Sequence, residues 1–112
     1  MAENPRRRPP KRDDPLGVAR RLFGARRYFD TRHSGTESRP DRDVSIDELG
    51  EVLSNGFREP SRDRYDEGLG TWSYSIRGKT DDDRELRIPV AFEKDDDPEG
   101  DEWLLIVTVY DV

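Results

Sequence analysis

Apolar residues gather in five stretches, 15–29, 44–57, 72–76, 86–92 and 103–110, with charged segments between them. The last is the strongest. Trp103 to Tyr110, WLLIVTVY, is a run of eight apolar or near-apolar residues, rich in β-branched and aromatic types and too short for an amphipathic helix. It reads as a strand buried on both faces. Thr71–Lys79 alternates: Trp72, Tyr74 and Ile76 fall on one face, and Ser73, Ser75, Arg77 and Lys79 on the other. Glu85–Glu93 alternates again, with Leu86, Ile88, Val90 and Phe92 inward. Pro89 has no N–H for a ladder, so that strand needs an edge or a bulge there. Turns are expected at Thr80–Arg84 and Lys94–Asp101. The charged segment Arg58–Gly70 reads as turn-rich, with room for one short edge strand.

Two helices precede the strands. Asp14-Pro15 is a start signal, Asp as N-cap and Pro at the first helical position. Val18, Leu22, Ala25 and Phe29 then share a stripe, which predicts a helix over Pro15–Phe29. Gly17 and Gly24 weaken it by about 1 kcal/mol each relative to Ala, so it must dock to persist. The second helix has a capping box, Ser45-Ile46-Asp47-Glu48, with Val44 and Leu49 placed as a hydrophobic staple. Ile46, Leu49, Val52 and Leu53 form its apolar face. Asn55-Gly56 should end it, with Gly56 in the left-handed region and Phe57 folding back on Val52. Helices followed by antiparallel strands make an α+β fold: two N-terminal helices on one face of a three- or four-stranded antiparallel sheet. Residues 14–112 form the expected single domain, and residues 1–13, with three prolines and five basic residues, a disordered or loosely docked basic arm.

Composition narrows the chemistry. Without cysteine there is no disulfide, thiolate metal site or thiol nucleophile, and with one histidine there is no His/Cys zinc site. No cofactor or metal is expected: the Asp81–Asp83 and Asp95–Asp97 runs lack calcium-loop spacing and read as solvated turns. No apolar run is long enough to span a membrane and no secretory signal is visible, so a cytoplasmic location is expected. Charge is unevenly divided. Residues 1–32 carry ten basic and four acidic side chains, and residues 33–112 carry ten and twenty-two. A basic arm on an acidic body suits an anionic partner such as nucleic acid. The Ile46–Asn55 helix is acidic, which argues against a DNA-recognition helix.

Between the helices, Asp30–Asp43 is a polar connector carrying Arg32, His33, Arg39 and Arg42. His33 is the side chain suited to proton transfer near neutral pH. The series Arg32-His33, Arg39 and Arg42, then VSIDELGEVLSNG, YSIRGKT, ELRIPVAFE and LLIVTVYD, resembles a family of small bacterial and archaeal domains of unknown function. That family in turn is similar to the RelE, barnase, EndoU and colicin ribonuclease superfamily. The resemblance spans Thr31 to Val112 and leaves out the first helix and the arm. It implies a RelE-like fold and metal-independent RNA cleavage by attack of the ribose 2′-OH on the adjacent phosphate. His33 would be the acid–base group, Arg39 and Arg42 the phosphate clamp, and Arg32, Arg77, Lys79 and Tyr110 the RNA-binding side chains. RNA and a neutralising partner protein are the implied partners. The alternative is a non-catalytic protein-interaction module on the same fold.

Overall fold

The structure is a computed structural model, and it describes residues 8–31 and 44–112. The order is α1 (Pro15–Gly24), β1 (Tyr28–Asp30), α2 (Ile46–Asn55), β2 (Phe57–Arg58), β3 (Arg64–Asp66), β4 (Thr71–Lys79), β5 (Glu85–Glu93), β6 (Trp103–Ile106) and β7 (Tyr110–Asp111). A single 3₁₀ turn at Pro60–Arg62 separates β2 from β3. The fold is α+β, as the sequence indicates, but among the described residues the sheet has seven strands and is mixed rather than three- or four-stranded and antiparallel. Its spatial order is β1-β6-β5-β4-β2, with β3 also on β4 and β7 also on β5. The parallel pair is β1 with β6, Tyr28 opposite Leu104 and Asp30 opposite Ile106.

The parallel strand exists because α1 stops five residues short of the expected Phe29. The amide of Arg27 bonds the Leu22 carbonyl (2.9 Å), and that of Arg26 bonds the Phe23 carbonyl (3.0 Å). This is a Schellman stop. Its left-handed position is held by Arg26, with φ of 62°, where glycine is usual. The chain then reverses into β1. Tyr28 stacks on Phe23 on the inner face, and Phe29, expected in the helix stripe, stands exposed on the outer face against Trp103 at 4.7 Å. Of the expected stripe Leu22 is fully buried, and α1 buries Pro15, Leu16 and Ala19 beside it.

α2 spans the expected residues with its capping box formed: Ser45 N–H to Glu48 Oε1 at 2.9 Å and Glu48 N–H to Ser45 Oγ at 3.1 Å. Its far end differs. Gly56 is extended (φ −81°, ψ 178°), not left-handed. Glycine is needed there for a close approach: an added Cβ would lie 2.4 Å from the Val52 carbonyl oxygen and 2.7 Å from that of Arg77. Gly78 faces it from β4, with equally little room. Asn55 completes the clamp, accepting from the Lys79 amide (3.0 Å) and donating to the Lys79 carbonyl (2.7 Å). From α1, Arg20 donates to the carbonyls of Leu53 (2.7 Å) and Gly56 (3.2 Å), satisfying the end of α2. Phe57 pairs with Arg77 on the outer face, so it does not fold back on Val52.

Leu22, Leu49, Leu53, Ile76, Leu86, Ile88, Leu104 and Ile106 form the core between the helices and the inner face of the sheet. The C-terminal run is interrupted. Ile106 pairs with Val90 but Tyr110 pairs with Arg87, so three residues, 107–109, oppose two on β5. This bulge lies beside Pro89, which supplies its carbonyl to the Val107 amide (3.2 Å) and has no N–H to give. Of the sequence's two options for Pro89, the bulge is the one adopted. The extra residue sends Val109 into the core and Tyr110 out, against the expectation of a strand buried on both faces through Tyr110.

Residues 8–12, within the expected disordered arm, run against the aromatic end of the sheet. Trp72 Nε1 donates to the Pro9 carbonyl (2.8 Å), and the Arg12 amide to the Tyr74 hydroxyl (2.9 Å). Lys11 sits over the Trp72 ring and Arg12 over that of Phe92. Arg12 also pairs with Glu102.

Candidate functional site on the outer sheet face

Among the described residues, no helix covers the outer face of the sheet. Alternation places Arg77 and Ser75 of β4 and Glu85, Arg87 and Pro89 of β5 on this face. Its centre is Glu59, which follows β2. The Arg87 guanidinium grips this carboxylate with both arms, Nε to Oε1 at 2.6 Å and Nη2 to Oε2 at 3.1 Å. Ser75 Oγ donates to the same group (3.0 Å), and Arg77 reaches it at 3.4 Å while bonding Glu85 at 2.6 Å. Only 13% of the Glu59 side chain is exposed. The Arg87 guanidinium, aided by the Ser75 and Arg77 donors, holds its carboxyl down at about 2. Arg77 and Arg87 are in turn raised, each chiefly by the carboxylate it grips.

Asp63 forms a second anchor. Its side chain is fully buried and takes three donors: the Ser75 amide (3.0 Å), Arg58 (2.8 Å) and Lys11 (3.1 Å). The carboxylate replaces a strand carbonyl beside Ser75, whose own carbonyl accepts from the Glu59 amide. The chain thereby loops outward through Pro60–Arg62 between β2 and β3.

Beside this loop lies a cleft of about 640 Å³, lined by Arg62, Arg64, Arg87, Ser73, Pro89 and Tyr110 among others. Arg62 and Arg64 are exposed and have no ion-pair partner among the described residues. Three arginines, Arg62, Arg64 and Arg87, line the cleft against one carboxylate, Asp63, which Arg58 and Lys11 already pair. A local excess of positive charge on an acidic body makes this a focused anion-attracting surface.

Of the residues singled out from sequence, Arg32, His33, Arg39 and Arg42 lie outside the described residues. Tyr110, 44% exposed, lines the cleft. Arg77 is on the same face but is occupied by Glu59 and Glu85. Lys79 lies at the end of β4, 3.5 Å from Asp83. Arg62 and Arg64 were hidden in a segment whose composition reads only as a charged turn, with no periodicity to assign them a face. Arg87 was legible, since the alternation that buries Leu86 and Ile88 turns it outward.

Among the described residues, no group of three or more His, Cys, Asp or Glu is placed to hold a metal ion. No helix among them is long and apolar enough to cross a membrane. Fold and site together define a small α+β domain with a mixed sheet, helices on one face and a cationic cleft on the other. The chain belongs to the family described as a domain of unknown function, DUF4258, which matches residues 31–111. No curated protein and no solved structure matches the chain.

Proposed function

We propose that this domain binds RNA through the outer-face cleft and is a metal-independent endoribonuclease related to the RelE-like superfamily. The observation that carries the reading is the convergence of Arg62, Arg64 and Arg87 with Tyr110 on one cleft. Guanidinium forks fit phosphate oxygens in pairs, and a tyrosine at the rim offers a ring to a base. In the cleavage step the ribose 2′-oxygen attacks the adjacent phosphorus, the P–O5′ bond breaks, and a base and an acid move the two protons. His33 is assigned the proton transfer, and Arg39 and Arg42 the crowded phosphate.

The test joins binding to cleavage. Anisotropy titrations of labelled RNA at several salt concentrations should show affinity falling steeply with salt. The Arg62→Ala/Arg64→Ala pair should weaken binding at least tenfold and flatten the salt slope by about 2. An RNA pool incubated in EDTA should be cleaved by the protein and not by His33→Ala. Binding without cleavage would remove the nuclease and leave an RNA-binding domain. A second reading, a protein-interaction module, is favoured by one observation: Arg77 and Arg87 are already neutralised by Glu59 and Glu85. Absence of any RNA binding would overturn the first reading and leave the second.

A further inference from the structure

The outer face is not uniform. Across it the character changes from cationic to apolar. Arg64 and Ser73 lie at one side, Arg87 and Pro89 in the middle, and Leu105, Val107 and Phe29 at the other. A second groove, about 360 Å³, is lined by Leu69, Leu105 and Val107 with Thr31, Asp66 and Gly68 at its rim. The two cavities flank one hydrogen bond, from the Val107 amide to the Pro89 carbonyl: Pro89 lines the cationic cleft and Val107 the apolar groove. The hairpin tip over the groove is braced, because Asp66 accepts from Leu69 N–H with its side chain (3.0 Å) and from Gly70 N–H with its carbonyl (2.8 Å). Leu69 is 48% exposed and Phe29 49% exposed, and Phe29 packs on Trp103 beyond Leu105 with the two rings tilted by 31°.

We infer that the apolar groove takes an unstacked base from the strand whose phosphates lie in the cationic cleft, so that the domain selects single-stranded over duplex RNA. This rests on the proposed RNA reading and deepens it. A polar, arginine-lined cavity suits the phosphodiester and an apolar one suits a base face, and the two adjoin as successive parts of one strand do. In a duplex the bases stay stacked and paired, so the apolar groove would remain unfilled and only phosphate contacts would form.

The experiment compares one short labelled oligoribonucleotide, alone and annealed to its complement, by anisotropy with the full chain. The single strand should bind at least tenfold more tightly. Leu69→Ser and Val107→Ser, both at groove-lining positions open to solvent, should each lower single-strand affinity about tenfold and leave duplex affinity unchanged. The same oligomer carrying abasic sites should behave with wild type as the intact strand does with these variants. Equal affinity for single strand and duplex would overturn the base groove while the phosphate cleft stands. No binding of either form would overturn the RNA reading and this inference with it.

Discussion

Glu59→Gln is the most informative single change, because one carboxylate organises the outer face. Gln keeps the size of the side chain and one acceptor oxygen but removes the charge that Arg87 and Arg77 grip. The folded-state carboxyl lies at about 2 against an ordinary value of 4.5. At about 1.4 kcal/mol per tenfold change in acidity, this corresponds to about 3 kcal/mol of stability. Water still reaches one side of the network, so a loss of about 2 kcal/mol at neutral pH is the working value. The sign follows from the depressed pKa. The contribution is complete above about pH 5 and is lost as pH falls toward 2, where the folded carboxyl also takes a proton. Urea unfolding of both proteins from about pH 7 down to about pH 2.5 should therefore give two curves that converge in acid. Asp95 and Asp101, which are also lowered, chiefly by Trp103 and Arg21 donors, are common to both proteins and cancel in the difference. A gap that stays constant with pH, or one below about 0.5 kcal/mol at neutral pH, would refute the view that Glu59 is held charged by its arginines. The same variant frees the Arg87 guanidinium beside the cleft while Arg77 stays on Glu85, so its RNA affinity should rise.

Two further substitutions test how the helices are set on the sheet. Arg26→Gly relieves a left-handed arginine at the end of α1 and should stabilise the protein by about 0.5–1 kcal/mol, seen as a higher thermal midpoint. Gly78→Ala places a methyl 2.8 Å from the Val52 carbonyl oxygen and 2.9 Å from Asn55 Oδ1, which pushes α2 off β4. A loss of about 2 kcal/mol in chemical unfolding is expected, and a neutral result would show that the helix end yields freely.

Local chemistry determined much of this protein. The capping box, the Asp14-Pro15 start and the two alternating strands each depend on neighbours within a few residues, and each forms where the sequence places it. The choice of an α+β architecture follows from the order of those elements. Other features were decided only in three dimensions. Nothing local marks Arg26 as a helix stop, because a non-glycine residue takes the left-handed position only when β1 has β6 to pair with. Asn55-Gly56 carries the sequence signature of a left-handed cap, but contact with Gly78 makes it a helix-to-sheet clamp. Pro89 announced an irregularity at its own position without the strand that carries the extra residue. Pairing with the last strand put the extra residue at 107–109 and thereby turned Tyr110 outward. The cleft itself depended on long-range charge pairing. Ser75 belongs to the solvent-facing set by alternation, yet Glu59 and Asp63 cover it, drawing the intervening loop into place and setting Arg62 and Arg64 beside Arg87. Periodicity specifies which face a side chain takes, whereas the partner that meets it there is fixed only when distant segments close on one another.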